Sequence, residues 1–154
     1  MKITVLIPVY NDWKSVFKLL DEINNLSLEN EFQLSILIVN DASNFDRQEI
    51  EKSFKNINSI KILNMKKNVG HTRCIATGLK YIFEKDQFDY VIPMDGDGED
   101  RPQEIKDFLE KIKVYNEKTI VGERVKRSES MTFKICYQLH KIITFIFTGK
   151  SIKY

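Results

Sequence analysis

Apolar residues follow two different periodicities along the chain. Nearly unbroken runs of aliphatic and β-branched residues indicate strands that are buried on both faces. Strands are predicted at residues 3–9, 34–39, 59–65, 90–94 and 119–121. Between them, apolar residues recur at intervals of three and four, which indicates amphipathic helices. Helices are predicted from about residue 15 to residue 26, at 46–56, at 71–84, and from Pro102 to about residue 112.

Strands that alternate with helices predict an α/β fold. We expect a Rossmann-like, mostly parallel sheet with helices on both faces. Ligands bind such sheets outside the carboxyl ends of the strands. Polar clusters follow four of the predicted strands, at residues 10–12, 40–41, 64–70 and 95–100. The pattern therefore predicts a ligand site at this edge of the sheet.

The composition is that of one folded domain. Of the 154 residues, 42% are hydrophobic and 30% are charged, which argues against a disordered chain and against a disulfide-stapled mini-protein. The two cysteines, Cys74 and Cys136, are 62 positions apart and have no CxxC spacing. This spacing argues against structural zinc and against a disulfide framework, so we expect a cytoplasmic protein.

Positive charge is concentrated at the carboxyl-terminal end. Residues 118–154 contain eight Lys and Arg against two Glu, a net charge of +6. Because the whole chain has a net charge of +2, residues 1–117 have a net charge of −4. We expect two parts: residues 1–127 as the core, and residues 128–154 as a basic, apolar helical tail. A helix over 133–147 would be about 22 Å long, too short to span a bilayer but suited to an anionic membrane surface. The alternative is an ordinary last helix that packs on the core or has solvated lysines.

An acidic segment directly follows the fourth predicted strand. Residues 95–100 contain four carboxylates and two glycines. Carboxylates packed so closely repel one another unless a cation or water screens them, and hard oxygen ligands suit Mg²⁺ or Mn²⁺. The alternative is a solvated acidic turn that caps the next helix.

Asp41 ends the second predicted strand. It is placed either to accept hydrogen bonds from a base or ribose, or to cap the following helix. The sequence has neither G-x-G-x-x-G nor a P-loop, and no G-x-S-x-G accompanies its two histidines, His71 and His140. Dinucleotide binding, P-loop chemistry and a serine triad are therefore not supported. His71 is interpreted as a residue of a helix's first turn near this edge of the sheet, and Cys74 as a small core residue.

Four motifs taken together resemble family 2 glycosyltransferases of the GT-A fold. They are residues 7–11 (IPVYN), residues 39–43 (VNDAS), residues 68–70 (NVG) with Gly78, and residues 95–97 (DGD). Their order and spacing, over residues 1–127, are those of the family. The branch most similar is that of the dolichol- and undecaprenyl-phosphate mannosyl- and glucosyltransferases. Its acidic motif continues D-x-D-x-Q-x-x-P, and this chain has Glu99 in place of the glutamine, followed by Pro102.

The resemblance implies a role for each matching position. The residues expected to bind the substrate are Pro8, Tyr10, Asn11, Asp12, Asp41, Gly70 and Asp95. Asp95, Asp97 and Glu99 are implied as ligands of Mg²⁺ or Mn²⁺. The residues implied as catalytic are Asp97, through a metal that bridges the diphosphate, and Arg124, near a phosphate. Asp12 stands where the family usually has glutamate.

The activity implied is inverting transfer of a hexose from a UDP- or GDP-sugar. Polyprenyl phosphate is the expected acceptor, and a polysaccharide or other glycan is the alternative. Family members are usually longer, so a truncated fragment that binds nucleotide sugar without turnover is a further alternative. A sugar nucleotidyltransferase is disfavoured, because no glycine-rich, basic loop follows the first strand. No nucleic-acid partner is expected, and the tail predicts a peripheral position on the inner face of the membrane.

Overall fold

A computed structural model describes residues 1–29, 31–44, 53–115, 119–122 and 131–148. The chain divides into two compact units, Met1–Lys118 and Thr119–Tyr154. The strands are β1 (Lys2–Val9), β2 (Gln33–Asn40), β3 (Ser59–Asn64) and β4 (Tyr90–Pro93). The helices are α1 (Trp13–Asn24), α2 (His71–Lys85), α3 (Glu104–Val114) and α4 (Met131–Thr148).

The four strands form one parallel sheet in the order β3-β2-β1-β4. β1 pairs with β2 from Lys2↔Gln33 to Val9↔Asn40, and its residues from Ile3 to Val9 are all buried. The predicted parallel α/β sheet with central buried strands is therefore confirmed. The chain proceeds from β1 outward to β3 and then returns to the other side of β1 to form β4. The direction of winding thus reverses between β1 and β4.

Helices pack on both faces of the sheet. On one face, Cys74 and Ile82 of α2 join Leu6 of β1 in a buried cluster. The opposite face carries Ile7, since consecutive residues of a strand point to opposite sides. A Cβ atom added at Gly96 would lie 3.3 Å from Ile7 Cγ2 and 3.1 Å from Val16 Cγ2 of α1, so α1 covers that second face. Each fully buried aliphatic side chain contributes about 1.5–3 kcal/mol to folding, so both faces stabilise the sheet.

Several predicted element boundaries differ from those observed. The predicted fifth strand is wrong, because residues 119–122 have no strand structure. Three β-branched or aliphatic residues form a strand only where a neighbouring strand is in reach. The predicted helix 46–56 lies largely outside the described residues, and the described residues 53–56 are not helical.

Capping, rather than periodicity, sets where the helices start. The Asp12 side chain accepts a hydrogen bond from the Ser15 amide at 3.3 Å, so α1 begins at Trp13 rather than at Ser15. Pro102 precedes α3 in a turn, since the Glu104 amide donates to the Arg101 carbonyl. α3 therefore begins two residues later than predicted.

The tail forms the predicted helix, α4. Its exposed apolar side chains include Ile135, Leu139, Ile142 and Ile146. In the part of the chain that the structure describes, none of the helices is both long enough and apolar enough to cross a membrane.

Candidate active site

A cavity of about 510 Å³ lies at the carboxyl ends of β1 and β4, where the winding direction reverses. Loops that leave adjacent strands in opposite directions open a crevice there, which is the usual ligand position in open parallel sheets. Its lining residues belong to the end of β1, the loop after it, the first turns of α1 and α2, and the turn after β4. They are Pro8, Val9, Tyr10, Asp12, Val16, His71, Asp95, Gly96 and Asp97.

The acidic turn after β4 lies close against the end of β1. A side chain at Gly96 would place its Cβ 3.2 Å from the Pro8 carbonyl oxygen, a tight contact that glycine avoids. The Asp95 amide donates to Asp100 Oδ2 at 2.8 Å, and the Glu99 amide donates to Asp97 Oδ1 at 2.9 Å. These bonds fix the turn, which holds the carboxylates of Asp95 and Asp97 at the cavity.

The electrostatic environment of Asp95 is unfavourable to its negative charge. Burial raises the pKa of Asp95 above its ordinary value, and the neighbouring carboxylates of Asp100, Asp97 and Glu99 raise it further. His71 has the opposite effect on this pKa, since its Nε2 lies 3.4 Å from Asp95 Oδ1. The site therefore favours a cation or a hydrogen-bond donor beside Asp95.

The carboxylates fit a divalent ion that is completed by a ligand. Asp95 and Asp97 both line the cavity, whereas Glu99 is exposed and outside the lining. Among the described residues, no group of three or more His, Cys, Asp or Glu side chains is arranged to hold a metal ion. Mg²⁺ and Mn²⁺ sites commonly use one or two carboxylates and take further oxygens from substrate phosphates. Two carboxylates match that donor set, and the metal itself remains a prediction.

Asp41 is 4% exposed and binds the protein backbone with both carboxylate oxygens. Oδ1 accepts the Val69 amide and Oδ2 accepts the Gly70 amide, each at 2.9 Å. Asp41 thereby holds the turn that ends at Gly70, the residue before α2, whose φ of 88° suits glycine. The contact of Asp41 with a base remains a prediction, and the observed role is to fix the start of α2.

Asn11 connects the loops that follow β1 and β2. Its amide donates to Ser43 Oγ at 2.9 Å, and its Oδ1 accepts the Asn44 amide at 2.7 Å. Its φ of 58° lies in the left-handed region, which asparagine tolerates better than most residues. Asn11 therefore joins the loop after β1, which lines the cavity, to the loop after β2.

The structure thus separates the predicted site residues into groups. Pro8, Tyr10, Asp12, Asp95 and Asp97 line the cavity. Asn11, Asp41, Gly70 and Glu99 lie outside its lining, and Arg124 lies outside the described residues. The sequence interpretation missed His71 as a site residue. The available signal was its position directly after the polar 68–70 turn.

A crevice at the reversal point of a parallel sheet is where open α/β sheets, including those that bind nucleotides, take their ligands. Residues 4–151 match Glycosyl transferase family 2. The chain therefore belongs to glycosyltransferase family 2, as the four motifs predicted.

Relatives in the family are longer than this chain. The dolichyl-phosphate beta-glucosyltransferase ALG5A of Trichomonas vaginalis is 29% identical over 141 residues, which cover 83% of this chain and 42% of that protein. MJ0544 of Methanocaldococcus jannaschii is 26% identical over 121 residues, which cover 77% of this chain and 50% of that protein. The chain thus spans half or less of the length of these relatives.

A solved structure matches the fold. S. aureus TarS 1-349 superposes with a TM-score of 0.61 at 23% identity, covering 83% of this chain and 39% of TarS. TarS has been crystallised with UDP and with UDP-GlcNAc. The match confirms the predicted GT-A fold.

Proposed function

We propose that the cavity between the carboxyl ends of β1 and β4 binds a nucleoside diphosphate sugar. The observation that carries the proposal is the pair of carboxylates, Asp95 and Asp97, held on a fixed turn at the point where the winding reverses. The family match supports it, as do the TarS structures with UDP and UDP-GlcNAc. UDP and GDP are the candidate nucleotides.

Asp95 and Asp97 would hold Mg²⁺ or Mn²⁺ together with the donor diphosphate. Such an ion, when bound, neutralises negative charge on the departing diphosphate. The contribution of the chain is to fix the turn that carries both carboxylates. Asp97 Oδ1 accepts the Glu99 amide, and Asp100 accepts the Asp95 amide, so the backbone of the turn is set before binding.

The proposed reaction transfers a hexose to polyprenyl phosphate with inversion. Direct attack by an acceptor oxygen on the anomeric carbon, opposite the leaving diphosphate, inverts that carbon. A phosphate acceptor is already an anion and needs little general-base help. The similarity to a dolichyl-phosphate glucosyltransferase supports this acceptor over a glycan. Arg124 is proposed to bind a phosphate electrostatically.

A second candidate is nucleotide-sugar binding without transfer. The observation that favours it is that the chain spans half or less of the length of its relatives, while the described residues form the proposed donor cavity. The two candidates differ in turnover and agree on donor binding.

Calorimetric titration tests donor binding. UDP and GDP are each titrated into the protein with Mn²⁺ or with EDTA. Binding of one nucleotide in Mn²⁺ and its loss in EDTA are expected. Equal affinity in EDTA would contradict the metal role, and no binding of either nucleotide would contradict the proposed function.

A lipid-extraction assay separates the two candidates. The protein is incubated with Mn²⁺, undecaprenyl or dolichyl phosphate, and radiolabelled UDP-glucose or GDP-mannose. Radiolabel in the organic phase indicates transfer. Nucleotide binding with no labelled lipid indicates the binding-only candidate.

We further propose that α4 lies on the inner face of the membrane. α4 contains no Asp or Glu, exposes Ile142 and Ile146, and has Lys141 5.0 Å from the Tyr137 ring centre. A helix with apolar and basic residues gains from apolar burial and from anionic headgroups. Sedimentation with phosphatidylglycerol vesicles should pellet the protein at low salt, less at high salt, and not with phosphatidylcholine.

A further inference from the structure

We propose that His71 donates a hydrogen bond to the diphosphate of the bound donor. The assignment rests on the proposed function of the cavity and adds a residue that discriminates phosphorylated ligands from nucleosides. His71 is the first residue of α2, and its side chain lines the cavity beside Asp95 of the acidic turn.

The charge distribution of the cavity carries this inference. Asp12, Asp95 and Asp97 contribute carboxylates to the lining of the cavity. Among the described lining residues there is no Lys or Arg. A diphosphate that enters this cavity meets negative charge from three carboxylates. His71 supplies a nitrogen donor on the same wall, which an anionic ligand requires.

The His71 donor is only weakly used in the protein itself. Its Nε2 lies 3.4 Å from Asp95 Oδ1, beyond the 2.7–3.2 Å of an ordinary N–H···O bond. A phosphate oxygen beside Asp95 would offer a closer and more strongly charged acceptor. The contact with Asp95 therefore orients the imidazole toward the position where the metal and diphosphate are proposed.

The backbone of His71 is fixed before any ligand binds. Asp41 holds the preceding turn through the Val69 and Gly70 amides, and Cys74 anchors the first turn of α2 in the core. A side chain on a fixed backbone loses less conformational entropy when it binds. By contrast, the His71 side chain is 57% exposed, so it contributes little to packing.

The test compares His71→Ala and His71→Gln with the wild type. The matched control is His140→Ala, which removes the other histidine from an exposed position on α4. Uridine, UMP and UDP are titrated in saturating Mn²⁺, with the guanosine series in their place if the wild type prefers GDP. Manganese binding without nucleotide and the melting temperature are measured for each variant.

We expect His71→Ala to bind UDP about tenfold more weakly, since a hydrogen bond to a charged group is lost. The loss for UMP should be smaller, and uridine affinity should not change. His71→Gln retains an N–H donor and should recover part of the UDP affinity. His140→Ala should bind all three ligands like the wild type.

Unchanged UDP affinity in His71→Ala would overturn the assignment, and so would an equal loss for uridine. A tenfold loss of Mn²⁺ affinity without nucleotide would also overturn it, because His71 would then act only by positioning Asp95. If the wild type binds neither UDP nor GDP, the proposed function itself fails. That outcome is visible before any variant is compared.

Discussion

The two edges of the sheet have cavities of nearly equal size that differ in charge, because acidic and basic groups both line the first and carboxylates predominate in the second. At the amino ends of the strands, a cavity of about 520 Å³ has Lys2, Gln87 and Asp89 among its lining residues. There, Lys2 Nζ donates to Gln87 Oε1 at 2.8 Å, and the Lys2 amide donates to Asp89 Oδ2 at 2.7 Å. At the carboxyl ends, the cavity of about 510 Å³ is lined by the carboxylates of Asp12, Asp95 and Asp97 and by His71.

The difference separates polar groups that pair with one another across the fold from carboxylates that repel one another at the proposed ligand site. At the amino edge, Asp86 pairs with Lys61, and the hydrogen bonds join β1 to the loop before β4. At the carboxyl edge, the backbone bonds within the acidic turn hold like charges close together, which costs free energy. Cavity size alone would not have told the two edges apart.

The largest expected effect is on ligand binding at the carboxyl edge. Asp97→Ala should weaken Mn²⁺-dependent UDP binding by about a hundredfold or more, since a bound cation contributes several kcal/mol to holding phosphate charge. Asp89→Ala, at the amino edge, should leave nucleotide affinity unchanged. Calorimetric titration of both variants in Mn²⁺ measures the contrast.

The melting temperature of Asp97→Ala without ligand provides the control. It should stay close to that of the wild type, because the relief of repulsion among the carboxylates offsets the loss of the exposed hydrogen bond from the Glu99 amide. A drop of several degrees would show instead that the acidic turn is a structural cap. The contrast between the two edges would then disappear.

The next effect concerns stability and compares one aspartate from each edge. Asp41→Ala removes the acceptor of the Val69 amide and leaves the Gly70 amide only Asn68 Oδ1, at 3.2 Å. The loss of these two charge-assisted hydrogen bonds should lower the free energy of unfolding by about 2 kcal/mol. Asp86→Ala breaks a partly exposed ion pair with Lys61 and should cost less than about 1 kcal/mol. Urea denaturation measures both values, and a larger loss for Asp86→Ala would reverse the expected order.

The smallest expected effect is a pH-dependent rise in the melting temperature when the charge of Asp95 is removed. Folding raises the pKa of Asp95, so the folded protein holds this proton more tightly than the unfolded chain. The ionised group is thus destabilising at neutral pH, and Asp95→Asn should raise the melting temperature at pH 7. Water screens the half-exposed side chain, so the gain should be about 2 °C or less.

The gain from Asp95→Asn should shrink as the pH falls through the raised pKa of Asp95 and disappear below the ordinary value of 3.8, where the carboxyl is protonated in both states. Asp86→Asn should do the opposite at pH 7 and lower the melting temperature, since it removes a favourable charge pair. Thermal melts in chelator at several pH values provide both comparisons. A loss of stability in Asp95→Asn at pH 7 would contradict the unfavourable environment described for this carboxylate.

Local pattern determined much of the fold. The continuous apolar runs of β1 and β2 require burial on both faces, and such burial is met by a parallel sheet between helices. The same pattern located the polar clusters at the strand ends, and the motifs within them identified the family. The predicted starts of α1 and α3 were displaced by two residues. Capping by Asp12 and the turn at Pro102 depend on hydrogen bonds that periodicity does not encode.

Only the tertiary structure decided which of those clusters share a cavity. The strand order places β4 beside β1, so the residues after these two strands meet, while Asp41 after β2 is turned inward to hold the backbone before α2. The turn held by Asp41 places the first residue of α2, His71, beside Asp95. The reason is physical: apolar periodicity is a property of neighbouring residues, whereas strand order and hydrogen-bond partners join residues far apart in the chain.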